Sequence, residues 1–237
     1  MFFHEKPVEE LYDTEKDPWE VNNLAGDPAY AKILERMRKA EMDWRRQIRD
    51  VGLIPEDEYG FYAGEKSMYD YMRSDECPFE ELMKAADLAT LGGPEDLDTY
   101  TGYLKSDNSA IRYWGATGLL ILKDKAQPAI PVLKEAAFDR AGSVATLAAE
   151  ALYGLGEVET ARKAYINILQ DRITYDYIDR NFALNSIDII NEASPEIIDA
   201  VKKLVKDLTE NPSPQTSTSG YEMRTAPYLL QKWAAEL

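Results

Sequence analysis

The sequence predicts a mainly α protein made of stacked helix pairs, an α-solenoid by class, and three features carry that expectation. From Phe79 onward, apolar residues recur at helical spacing between short turns. Small and aliphatic residues then repeat at intervals of 33 and 34 residues, the mark of an array of supersecondary units. Finally, 45% of the 237 residues are hydrophobic, which is enough for a sizeable core. No run reaches the ~20 apolar residues of a membrane span.

Taken in order, the first residues show little helical periodicity. Glu10-Leu11-Tyr12-Asp13 is expected as a short strand, and Asp17-Pro18 and Gly26-Asp27-Pro28 are turn signals. Asp27 is placed to cap a helix with Pro28 in its first position. Ile33, Leu34, Met37, Ala40, Met42 and Trp44 space apolar groups along that helix to about Arg49, and Gly52 is expected to stop it. Arg45, Arg46 and Arg49 suit a helix C-terminus electrostatically.

Residues 59–102 carry three basic and ten acidic side chains, the most acidic stretch per residue. Tyr59, Phe61, Tyr62, Tyr69 and Tyr71 distinguish it from a disordered acidic tail. Residues 59–78 are therefore expected to form an ordered, irregular connector. Pro78 opens the next helix, with Phe79, Leu82, Met83, Ala86 and Ala89 on one stripe, and Gly92-Gly93-Pro94 separates it from another ending near Leu104.

The repeat then follows. Ile111, Val144 and Ile178 are in register, as are Ala116, Ala149 and Ala183, and Leu122, Leu155 and Ile189. The alanines allow close helix approach and the aliphatics fill between layers. Second helices are expected over Pro128–Phe138, Val158–Leu169 and Pro195–Leu208, with Asp107, Asp139 and Asp171 offering turn or cap bonds. Residues 211–220 read as a polar linker, and Tyr228, Leu229, Leu230 and Trp233 as a terminal capping helix.

Composition narrows function. With 43 acidic and 27 basic residues the net charge is −16, which opposes binding to nucleic acid or anionic membranes. One cysteine, Cys77, excludes an intrachain disulfide and a cysteine zinc site. One histidine, His4, leaves little general-base chemistry and reads as an exposed terminal side chain. Acidic neighbours Asp75, Glu76, Glu80 and Glu81 oppose a Cys77 thiolate. Asp13-x-Glu15-x-Asp17 lacks the rest of an EF-hand, with Leu24 at its twelfth position, and reads as a solvated turn. The N-terminus shows no apolar signal-peptide core.

Two resemblances add to this reading. Residues 79–210, through Asp107-x-x-x-Ile111-Arg112, Ala116 and Leu119, resemble HEAT-like repeats, although Ala145 and Asp179 replace Arg112 in later copies. Residues 149–169 also resemble a tetratricopeptide unit, but the other copies lack its aromatic signature. Glu10-Leu-Tyr-Asp13, Asp17-Pro-Trp-Glu20 and Asn22-Asn-Leu-Ala25, followed by a helix ending in Trp44, resemble the C-terminal subdomain of type I sulfatases. Gly52-Leu-Ile-Pro-Glu56 resembles what often follows that tract in one bacterial subgroup, and the acidic stretch with Ser67-Met-Tyr-Asp-Tyr71 and Cys77-Pro-Phe-Glu-Glu-Leu82 is similar to the subgroup's bridge to an appended helical repeat.

The resemblance implies a parent enzyme hydrolysing sulfate esters with formylglycine and calcium, often periplasmic or secreted. It implies a division into residues 1–58 (a strand-plus-helix remnant of that subdomain), 59–78 (connector), 79–210 (HEAT-like repeats) and 211–237 (linker and cap). Cys77-Pro78-Phe79-Glu80-Glu81 does not meet the family's Cys/Ser-x-Pro-x-Arg nucleophile pattern, so no catalytic residue, metal ligand or cofactor is expected here. The expected role is a non-catalytic support for the catalytic domain, its pocket mouth or oligomerisation. Expected partners are that domain or a second copy of the chain. The alternative is a stand-alone HEAT-like protein-interaction module. Tyr113, Trp114, Tyr175, Tyr177 and Arg180 are the candidate interaction surface; an aromatic platform for a sugar ring and packing into the next layer are the two readings of Tyr175 and Tyr177, and packing is preferred. At least one of Tyr113 and Trp114 is expected in the core.

Overall fold

The computed structural model describes residues 7–211 and 220–236, so His4 and most of the polar linker lie outside the described residues. Within them the chain is mainly helical and contains no β-strand.

The expected strand over residues 10–13 is the first correction. The segment forms no regular element, and a single side chain takes the place of a neighbouring strand. Asn23 Oδ1 accepts the N–H groups of Leu11 (2.9 Å) and Ala25 (3.0 Å), while its Nδ2 donates to the Glu9 carbonyl at 3.0 Å. The Leu24 N–H completes the clasp on the Leu11 carbonyl at 2.7 Å. Both backbone polar groups of Leu11 are thus satisfied without a sheet. Asp17 Oδ2 accepts the N–H groups of Val21 and Asn22, and Asp13 is held by Lys16, so both carboxylates serve local turns.

Asp27 caps a single 3-10 turn, Pro28–Tyr30, which leads into α1 (Ala31–Ile48). The helix closes on Arg49 in the left-handed conformation (φ 55°), at the end expected for it. The Arg49 guanidinium lies 4.6 Å from the centre of the Phe79 ring, within cation–π range. Of α1 only Leu34 is buried. Ion pairs hold the helix in place: Arg38 to Glu9, Arg45 to Asp87 at 2.8 Å, and Arg46 to Glu80 at 3.1 Å.

The connector is more regular than expected, forming α2 (Tyr59–Ala63) and α3 (Met68–Met72). Leu53, Ile54, Tyr71, Met72 and Cys77 share one apolar cluster with Phe79, Leu82, Met83, Ala86, Ala110 and Ile111. Residues of the segment 53–77 are therefore packed onto α4 (Phe79–Leu91) and α6 (Ser109–Leu122). Burial pushes the Cys77 thiol up, as suits an unreactive cysteine; its Sγ sits 3.7 Å from Met72 Sδ.

The remaining helices are α5 (Leu97–Tyr103), α7 (Ile130–Ala136), α8 (Gly142–Gly154), α9 (Val158–Gln170), α10 (Tyr177–Ile190), α11 (Pro195–Glu210) and α12 (Glu222–Glu236). α6 packs on α8 and α8 on α10, while α9 packs on α11 behind them. Ala116, Ala149 and Ala183 have no solvent exposure. Small residues at these positions let successive first helices approach closely. The third aliphatic set departs from the pattern, because Ile189 is exposed at the open end of α10. The expected helix over Pro128–Phe138 is divided. Lys123–Ala129 is a 3-10 run, and α-type bonding begins only at Ile130, since Pro128 and Pro131 have no N–H to give. α12 closes the array through Ala226, Leu229 and Trp233.

Candidate functional site

The most organised polar region lies where the N-termini of α6, α8 and α10 come together beneath residues 55–62. Helix N-termini leave N–H groups without helical partners, and these attract acceptors. The strap supplies them. The Ser143 N–H donates to Asp57 Oδ2 at 2.9 Å, and the Ser109 hydroxyl donates to the Glu58 carboxylate. The Tyr62 hydroxyl lies 2.8 Å from Asn108 Oδ1 and accepts the Ala110 N–H at 3.2 Å. Burial, reinforced by Asp57 and Asp139, pushes the Glu58 carboxyl up, although the Ser109 hydroxyl acts the other way.

Beside the strap, Asp179 closes a capping box on α10, accepting the Asp176 N–H at 2.7 Å. Its side chain presses against α8 at Gly142, where a Cβ would come within 2.2 to 2.5 Å of it, so only glycine fits. It also meets Asp57, and burial with this second carboxylate raises its own carboxyl to about 8.

A cleft of about 320 Å³ opens here, lined by residues of the strap (Pro55, Glu56, Asp57), of α6 (Tyr113), of α8 (Ser143) and of α10, including Ile178, Asn181 and Phe182. No lysine or arginine lines it. Ser143 is 2% exposed, and its hydroxyl has no hydrogen-bond partner.

The five residues expected as an interaction surface separate into different roles. Tyr113 lines the cleft, its hydroxyl pushed up by burial and by Asp57. Trp114 crosses it edge-on at 5.0 Å and is half-buried, its indole N–H bonded to the Leu53 carbonyl at 2.9 Å. Tyr177 is a half-buried first residue of α10. Tyr175 and Arg180 are not surface residues. Tyr175 is buried with its hydroxyl on the Asp139 carbonyl at 2.7 Å, and the Arg180 guanidinium is enclosed with Glu222 and the Tyr175 carbonyl. Packing into the neighbouring layer, the preferred of the two readings of Tyr175, is what the structure contains.

Asp57 and Ser143 were not among the candidates, and Asp57 approaches Ser143 across 86 residues of sequence. Local pattern carries no sign of that meeting.

A second surface is apolar. Ile33, Met37 and Trp44 on α1, with Val8, Leu91 and Ile121 nearby, are exposed. Several of them line a groove of about 590 Å³ between α1 and the ends of α4 and α6.

Two curated proteins are similar to short parts of the chain, both named ulvan-active sulfatase and both from Formosa agariphila. One is 43% identical over 53 residues, or 22% of this chain, and the other 41% over 46 residues, or 19%. Each match spans 9% of the relative's length. No protein-family profile matches the chain, and no solved structure does. The similarity supports a relationship to sulfatases.

Proposed function

We propose that this chain is a non-catalytic, helical part of a sulfatase, a HEAT-like solenoid that supports a sulfate-ester-hydrolysing domain. The observation that carries the reading is the similarity to two ulvan-active sulfatases in a chain without the Cys/Ser-x-Pro-x-Arg pattern. The succession of helices packed in two rows, with three buried alanines in register, supports the HEAT-like assignment. Calcium and formylglycine belong, in this reading, to the catalytic domain.

The exposed face of α1 is the surface assigned to that domain. It is apolar at its centre, through Ile33 and Met37, and rimmed by charges already paired within the chain, such as Arg38 with Glu9. An apolar centre with a polar rim is the anatomy of an interface. The test has two arms. Purified chain should hydrolyse an aryl sulfate no faster than background, with or without calcium; turnover abolished by a single substitution here overturns the reading. Adding a formylglycine sulfatase catalytic domain should slow amide exchange in α1 around Ile33 and Met37. Unchanged exchange removes the supporting role.

A further inference from the structure

The cleft between the strap and the N-termini of α8 and α10 has features that its capping role does not use. Capping α8 requires one oxygen of Asp57, and an ionised carboxylate offers about four acceptor positions. Capping α10 does not require the Ser143 hydroxyl. Glu56 adds a second carboxyl group to the lining of the cleft beside Asp57. The Ser143 hydroxyl is buried and left without a partner, a cost that a hydrogen-bonding guest in the cleft would relieve.

We propose that this cleft is a binding site for a protonated nitrogen group, a guanidinium or alkylammonium. Asp57, with Glu56 beside it, receives its charge, the Ser143 hydroxyl accepts one of its N–H bonds, and Tyr113 and Phe182 flank its carbon chain. The absence of lysine and arginine from the lining leaves the acidic pair without a competitor inside the cleft. Aromatic rings favour a cation against their faces. The apolar and aromatic walls, from Pro55, Ile178 and Phe182, distinguish the site from one for a hard metal ion, whose shell is made of oxygens. A volume of about 320 Å³ stands at the small end of the range for ligand sites and suits a side-chain-sized group. This inference is independent of the sulfatase reading.

The same chemistry arises from a free amine or from a lysine or arginine side chain of a peptide, so both sources are tested. Full-length chain is titrated calorimetrically at low ionic strength with agmatine, with acetyl-Gly-Arg-Gly-amide and with methyl xyloside as a neutral control. Agmatine or the tripeptide should saturate a single site. Tighter binding of agmatine identifies a free amine, and tighter binding of the tripeptide identifies a peptide side chain. D57N keeps an oxygen for the Ser143 N–H, so the fold persists, and it should weaken binding by about tenfold or more through loss of a charged bond. S143A removes a group that bonds nothing in the free chain and should weaken binding by about threefold. Unsaturable uptake, or binding that neither variant alters, would reveal diffuse attraction to a chain of charge −16 and overturn the proposal. Saturable binding of the xyloside without agmatine would overturn it equally.

Discussion

Arg180 and Glu222, 42 residues apart, face each other with Nε 2.6 Å from Oε2 and almost no access to water. Arg180 also donates to the Tyr175 carbonyl at 2.6 Å. This pair fastens the start of α12 onto α10 across the polar linker. Two charges taken from water stabilise only when well matched, and removing one leaves the other stranded.

Glu222→Ala is therefore expected to destabilise the protein by about 3–5 kcal/mol in urea denaturation. The loss should appear first as faster amide exchange in α12. Asp43→Ala, which removes an exposed partner of Lys39, should leave the denaturation midpoint unchanged.

Ala149 is fully buried in α8 between α6 and α10. Replacing it with leucine should overpack this layer and cost about 1–3 kcal/mol. Glu157→Ala, which breaks an ion pair with Lys134 at the α8–α9 turn, should cost about 1 kcal/mol or less. Equal midpoints for the two variants would show that the alanine register does not set helix spacing.

Asp179 keeps its proton in the folded chain up to about pH 8, because of burial and of Asp57, whereas the unfolded chain releases it near 3.8. Folding thus takes up a proton between those values. The resulting stability is complete below the lower pKa and is lost as pH rises through the upper one. Asp179→Asn should flatten the fall in stability between about pH 4 and 8, as read from denaturation midpoints across that range.

Thr146, fully buried in α8, has a hydroxyl without a partner. Thr146→Val removes an unsatisfied polar group while keeping the shape, so stability should be unchanged or higher. A marked loss would reveal a hidden bond to this hydroxyl.

Asn23 clasps both Glu9 and Leu11. Asn23→Ala should speed exchange of the Leu11 amide and leave α8 unaffected, as measured by hydrogen exchange. Retained protection at Leu11 would mean that the Leu24–Leu11 bond suffices alone.

Much of the helical pattern was legible before any coordinates. The period of apolar residues placed α1, α4, α9 and α11, because a helix that buries one face must repeat its apolar residues about every 3.6 positions. Ala116, Ala149 and Ala183 announced their burial by their register. Capping was legible in part: Asp27, Asp139 and Asp171 accept nearby N–H groups, while Asn108 rather than Asp107 caps α6.

Other features were decided only by contacts distant in sequence. The segment 10–13 carries strand-like residues, yet a strand exists only where another chain segment pairs with it, and Asn23 pairs here instead. Tyr175 and Arg180 look like surface groups by type, and become interior ones because Asp139 and Glu222 reach them across 36 and 42 residues. The sequence by itself determined the longer helices and which of their positions are small, since those depend on neighbours a turn away, whereas the short α2 and α3 were not legible in it. Tertiary structure alone decided that Asp57 and Ser143 share one cleft with Tyr113 and Phe182, since burial and unsatisfied hydrogen bonds arise only once distant groups exclude water together.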